Sequence, residues 1–174
     1  VVARRLVRIG DVGDVTVERL AEDLRATRGL DFAVDPEPID PAPAFTPARG
    51  QYDSRKLMAA LDAIRGDDVV VGVADVDLFA SIFTHVFGEA HLGGTVALVS
   101  MHRLRPEMYG LPSDPELLRQ RLLTETVHEF GHLLGAVHCS TPGCVMTFSG
   151  AVEEIDLKSP DPCHDCADRF TVSR

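Results

Sequence analysis

His128 and His132 stand four residues apart, with Glu129 directly after the first of them. On a helix this spacing puts both imidazoles on one face, one turn apart, where both can bind a single zinc ion. Glu129 then lies beside the metal, within reach of a water on it. Gly135 ends the helix and lets the chain turn, so that His138 returns as a third nitrogen ligand. Three neutral imidazoles and one open position make the site that metal-assisted hydrolysis requires. The expected chemistry is peptide-bond hydrolysis, in which Glu129 takes the proton of the attacking water and delivers it to the leaving nitrogen. Any one of these residues alone would more often be an ordinary surface or core residue. Together they are far rarer: at ordinary composition, His-Glu-x-x-His occurs by chance in a chain of this length roughly 1% of the time or less.

All four cysteines follow the third histidine, at Cys139, Cys144, Cys163 and Cys166. Two readings compete: a pair of disulfides in an exported protein, and a closed four-thiolate zinc site in a reducing compartment. Cys163-x-x-Cys166 has the spacing of a metal knuckle, and the run from Cys139 to Cys144 supplies a turn between the other two ligands. The expectation is therefore two Zn2+ per chain, one catalytic and one structural. His164 could replace a cysteine, but four thiolates already complete a tetrahedron. His85, His91 and His102 are candidate substrate contacts, each more often a polar surface residue. Asp75 and Asp77 could brace the junction between a strand and its loop, and Glu125, one turn before Glu129, could accept a hydrogen bond from an imidazole.

These groups need a scaffold, and 174 residues with 45% apolar content suffice for one domain with a real core. The net charge of -10, from 27 acidic and 17 basic residues, disfavours nucleic acid as a partner. Arg4, Arg5 and Arg8 read as the wet face of a strand. No stretch is apolar enough to cross a bilayer. Val1 to Gly10 lacks the pattern of a secretory signal, so a cytoplasmic location is expected, although the chain starts without Met.

Ala3 to Ile9 alternates as a strand, Thr16 to Gly29 has helical spacing, and Phe32 to Val34 looks like a second short strand. Pro36 to Gly50 reads as a surface loop. Ser54 to Arg65 follows as a helix, and Val69 to Val73 as a strand covered on both faces. This order suggests a layered α/β sheet. His85 to Ala90 and Thr95 to Ser100 are close enough to form an antiparallel hairpin. A helix starts at Ser113-Asp-Pro-Glu116, capped by Ser113 or by Asp114, and runs to Gly135. Beyond it the chain is too irregular and Cys-rich for a core of its own, a physical reason for a metal staple.

The segment HEFGHLLGAVH, with CSTPGCVM after it and CHDC at Cys163 to Cys166, resembles the archaemetzincin family of metzincin metallopeptidases. DVDLF (Asp75 to Phe79) and FGEA (Phe87 to Ala90) extend the likeness over most of the chain. The resemblance implies an α+β fold of the zincin-like, metzincin type: a twisted mixed sheet with one antiparallel edge strand, packed on an active-site helix, plus a small zinc-stapled C-terminal subdomain. It divides the chain into an N-terminal subdomain, 1–135, and a C-terminal one, 136–174. It also implies ligands His128, His132 and His138, base Glu129, Gly135 at the turn, a Met-turn at Met146, and Cys139, Cys144, Cys163 and Cys166 on a second zinc. Substrate would pair with the edge strand at His85, Val86, Phe87, Gly88, Glu89 and Ala90. Some metzincins place a metal-binding Tyr two residues after the Met, where this chain has Phe148, so help from that position is absent. The implied function is that of a zinc-dependent metallopeptidase, endopeptidase or aminopeptidase, acting on peptides or unfolded protein; the sequence does not fix the oligomeric state, and a monomer is the expectation. The alternative is a noncatalytic, zinc-stabilised peptide-binding module on the same fold.

Overall fold

Two runs of aliphatic residues, one near the start of the chain and one at its centre, are buried on both sides in the computed structural model, which describes residues 2–171. The first is β1 (Arg4–Ile9), followed by α1 (Asp14–Arg28) and the short β2 (Ala33–Val34). Next come β3 (Phe45–Thr46), β4 (Gln51–Asp53) and α2 (Ser54–Ile64), whose first turn is capped by the Asp53 carboxylate on the Arg55 N–H. The second run is β5 (Val69–Ala74), followed by β6 (Leu78–Phe79), β7 (Gly88–Ala90) and β8 (Val96–Ser100). Three helices complete the chain: α3 (Pro115–Leu133), α4 (Val152–Asp156) and α5 (His164–Thr171).

The principal sheet has the order β2-β1-β5-β8-β7. Its first four strands are parallel, and β7 lies antiparallel to β8 at the edge. Leu6, Val71, Val73, Ala97 and Val99 pack in one cluster with residues of α1 and α3. Val7, Ile9, Val70, Ala74 and Leu98 pack in another with Leu57, Met58 and Leu61 of α2. Each fully buried aliphatic side chain contributes about 1.5–3 kcal/mol to this three-layer core. Gly72 lets α2 come this close, because a methyl group there would lie 2.7 Å from Leu61 Cδ1.

Helix α3 is buried along its whole length from Arg121 to Gly131. Asp114 is the residue that caps it, accepting the Leu117 N–H at 3.0 Å, with Pro115 in the first turn. Arg121 is held by two 2.7 Å hydrogen bonds to Asp156 of α4, which ties the C-terminal segment to this helix. Cys144, Val145, Met146, Val152 and Ile155 join the same apolar cluster as α3.

Four expectations change. The arginines of β1 are not a wet face: Arg5 pairs with Asp35 and Asp68, Arg8 pairs with Asp14, and both strand faces are covered by helices. The segment 36–50 is not all loop, since β3 pairs with β4, and β4 with β6, in a second sheet of three strands. The strand expected from His85 starts at Gly88, although the Phe87 carbonyl still accepts the Ser100 N–H at 2.8 Å. The C-terminal segment contains two helices, α4 and α5, where an irregular chain was expected. The ends of the two expected subdomains, residue 1 and residues 172–174, lie outside the described residues.

Candidate active site and metal centres

His128 and His132 sit on the buried face of α3, and their Nε2 atoms approach to 3.2 Å. Gly135, with φ of 82, turns the chain after the helix and brings His138 back, its ring centroid 5.3 Å from His128 and 4.9 Å from His132. One nitrogen from each ring lies within 4.8 Å of the others. Main-chain carbonyls fix the orientation of the first two rings. Nδ1 of His128 donates to Val145 at 2.7 Å, and Nδ1 of His132 to Ala136 at 2.8 Å. With both Nδ1 protons committed, two Nε2 lone pairs face each other, a contact that a cation between them would resolve. Burial, with the Lys158 charge behind it, pushes the His128 pKa down to about 3, and burial lowers His132 and His138 as well. Neutral imidazoles are the ligand form, and tetrahedral zinc would set their nitrogens about 3.3 Å apart. The donor set fits that ion.

Glu129 follows the first ligand, is buried, and touches β7: a methyl group on Gly88 would lie 2.6 Å from Glu129 Oε1. Burial, then the charges of Glu125 and Glu89, raise its pKa well above the ordinary carboxylate range. Glu89 accepts a hydrogen bond from Ser54 Oγ. Glu125 does not serve an imidazole; its partner is the buried ammonium of Lys158, 3.4 Å away. Met146 is fully buried and packs on the helix at Gly131, where a methyl group would lie 2.4 Å from its sulfur. Phe148 stacks edge-on against His138, with centroids 5.3 Å apart.

The three histidines, Glu129, Glu89, Glu125 and Phe148 line a cleft of about 600 Å³. Its walls come from residues of the segment from Ala80 through β7 and from Val137, His138 and Phe148 to Gly150. The hairpin turn after β7 is fastened to α3, since the Gly93 N–H donates to the His132 carbonyl at 2.8 Å. Apolar side chains crowd the rim, with Phe83, Leu92, Val137 and Phe148 all exposed. Below the rim, Gln51 holds both the Thr84 carbonyl and Asp77, and Asp77 is paired with Arg103 at 2.6 and 2.8 Å. Asp75 pairs with Arg105. Both aspartates therefore brace the junction of sheet and loop. Of the three further histidines, His85 lines the cleft, whereas His91 and His102 are not among its lining residues.

The four cysteines converge at a second point. All are free thiols, their sulfurs lie within 4.8 Å of one another, and Cys139 and Cys163 are 3.7 Å apart. Tetrahedral zinc with thiolate ligands separates its sulfurs by about 3.8 Å, so this donor set fits as well. A backbone N–H, that of Cys166, holds the Cys163 thiol down to about 6, while burial pushes Cys144 and Cys166 up. His164 points to solvent beside Asp165 and takes no part.

Sequence reasoning missed Lys158, the spacing role of Gly88 and Gly131, and the carbonyls of Ala136 and Val145. A glycine inside a long helix is a usable signal for Gly131; a lysine in a polar run gives none.

Comparison with known proteins gives a consistent result. The profile of peptidase family M54 matches residues 40–171. The archaemetzincin of Methanocaldococcus jannaschii is 39% identical over 158 residues, spanning 91% of this chain and 87% of that protein. The archaemetzincin of Pyrococcus furiosus is 41% identical over 170 residues, spanning 92% and 88%. Among solved structures, a zinc-dependent peptidase from Methanocorpusculum labreanum superposes with a TM-score of 0.89 at 29% identity, covering 97% of this chain and 100% of that one. The archaemetzincin from Archaeoglobus fulgidus, complexed with malonate, gives 0.83 at 36% identity, with coverage of 95% and 99%.

Proposed function

The chain belongs to peptidase family M54, the archaemetzincins, and from that premise we propose how its own residues divide the work of a zinc metallopeptidase. His128, His132 and His138 hold the catalytic zinc, and Cys139, Cys144, Cys163 and Cys166 hold a second, structural one. Bound at the histidines, zinc supplies a Lewis acid that polarises the scissile carbonyl and acidifies water. Glu129 accepts the proton of the attacking water and passes it to the leaving nitrogen. Its position beside the first ligand and against the bare backbone of Gly88 suits it to carry a proton between those two events. Val145 and Ala136 keep the imidazoles in the ligating tautomer throughout.

Substrate pairs in extended form with the edge of the sheet along His85, Val86, Phe87, Gly88, Glu89 and Ala90, which supplies affinity through the backbone. The apolar rim supports a preference for peptides or unfolded segments, whose apolar side chains are free to bind. The division at Gly135 serves as the division between the two walls, with 1–135 above and 136–174 below. Four free thiols gathered as a metal cluster support a reducing, cytoplasmic setting. Among the described residues no helix is long and apolar enough to cross a membrane, and the net charge of -10 supports action without nucleic acid, by a monomer.

One observation carries the reading: two imidazoles locked by carbonyls, with a third ring beside them, converge their free nitrogens next to Glu129. A pure peptide-binding module has no physical need of that carboxylate. The test is digestion of a diverse peptide mixture by the zinc-loaded protein, read by mass spectrometry, beside zinc-loaded Glu129→Ala. Cuts that vanish in the variant support the assignment, and their positions separate an endopeptidase from an aminopeptidase. Cuts that persist at full rate would remove Glu129 from the mechanism.

A further inference from the structure

Gly88 has no conformational reason to be glycine. It sits in the extended strand β7, paired with Val99 of β8, and is absent from the glycines with positive φ. Any L-residue can adopt such a backbone. What a side chain could not do there is find room. A methyl group on Gly88 would stand 2.6 Å from Oε1, 2.7 Å from Cγ and 2.8 Å from Cδ of Glu129, and every one of these is the same side chain. Carbon atoms not bonded to each other settle at about 3.5–4.0 Å, so the two cannot coexist without a shift of about 1 Å.

The shift has an obvious direction. β7 is held by its ladder to β8, and the turn beyond it is fastened to α3 by the Gly93–His132 hydrogen bond. Glu129 is attached only through a flexible side chain. A methyl group at position 88 therefore moves the carboxylate and leaves the strand where it is. We propose that Gly88 is a positioning residue for catalysis: by presenting bare backbone, the edge strand that receives substrate lets the Glu129 carboxylate rest directly against it, which sets the height of the base relative to the peptide lying on that strand. This inference rests on the assignment of Glu129 as the base. It gives Gly88 a task distinct from contacting substrate, because the neighbouring backbone groups that would pair with a peptide are unchanged by the substitution.

The experiment compares zinc-loaded Gly88→Ala with the parent protein in four respects: kcat and KM on a peptide that the parent cleaves, zinc content, Tm, and a crystal structure. A misplacement of the base by about 1 Å is expected to lower kcat by about 100-fold. KM and zinc content should stay level, and Tm should fall only slightly, because the clash is relieved by rotation of one flexible side chain. The structure should show the Glu129 carboxylate displaced and the ladder between β7 and β8 intact. Unchanged kcat overturns the inference, as does a structure in which β7 has moved and Glu129 has not. Should Gly88→Ala fail to fold, the double variant Gly88→Ala/Glu129→Ala decides: folding in that background assigns the conflict to Glu129, and failure there refutes it. Activity retained by Glu129→Ala would instead sink the underlying base assignment, whatever the behaviour of Gly88→Ala.

Discussion

His128 donates its Nδ1 proton to the carbonyl of Val145 at 2.7 Å, and Val145 is the residue directly after Cys144. The first histidine of the active site thus takes its orientation from the loop that carries the cysteine cluster. The Val145 N–H in turn donates to Asp161 at 3.1 Å, two residues before Cys163.

From this link we expect damage to the cysteine site to reach the histidines. Cys144→Ser should weaken zinc at the histidine site by about 10- to 100-fold, the usual scale for loss of a group that orients a ligand. Chelator competition, with both metals counted, measures it. Undiminished affinity at the histidines after the cysteine site has lost its metal would show that the two centres are independent.

The Lys158–Glu125 pair gives a second expectation. Both side chains are almost fully buried, at 2% and 4% exposure. Burial raises the Glu125 pKa, and Lys158 acts against that shift. Lys158→Met leaves a buried carboxylate without its partner and should cost about 3–5 kcal/mol in urea unfolding. The double variant Glu125→Leu/Lys158→Met removes both charges and should recover most of that loss. A single variant as stable as the parent would mean that the pair contributes nothing.

The brace beneath the cleft rim should respond to acid. Burial pushes the Asp77 carboxyl up, but hydrogen bonds from Arg103, then its charge, outweigh burial, and the net shift is downward. A lowered carboxylate value adds stability that is fully present above the unfolded value of about 3.9 and is lost as pH falls through the folded one. Asp77→Asn should therefore be less stable than the parent at neutral pH, with the gap closing below about pH 4. Chemical denaturation of both proteins across that range is the measurement, and a gap independent of pH would exclude the ionised pair as its source.

The parts of the molecule legible in its sequence are those with long or strongly typed signals. Asp114-Pro115 announces α3, the aliphatic run of β5 announces a strand covered on both sides, and the spacing of His128, His132 and His138 announces their convergence. Strands of two or three residues, such as β3, β4 and β6, are too short to show a period, so the second sheet went unseen. The amphipathic turn that makes α5 was hidden because Cys163 and Cys166 read first as a knuckle. Lys158 sits in the polar run DLKSPDP, where nothing marks it for burial. The demands on Gly88 and Gly131 come from Glu129, 41 positions later, and from Met146, contacts that exist only once the chain has folded.

The hydrogen bond from the Gly93 N–H to the His132 carbonyl joins the hairpin of the upper wall to the helix that carries the first two histidines. The proposed chemistry and the proposed backbone recognition therefore share one framework, while Phe83 and Val137, which line the cleft, are exposed at 49% and 64%. Selectivity is in this sense detachable from turnover. A library randomised at those two rim positions should yield variants that choose different peptides at similar speed, which makes the cleft a workable starting point for directed retargeting.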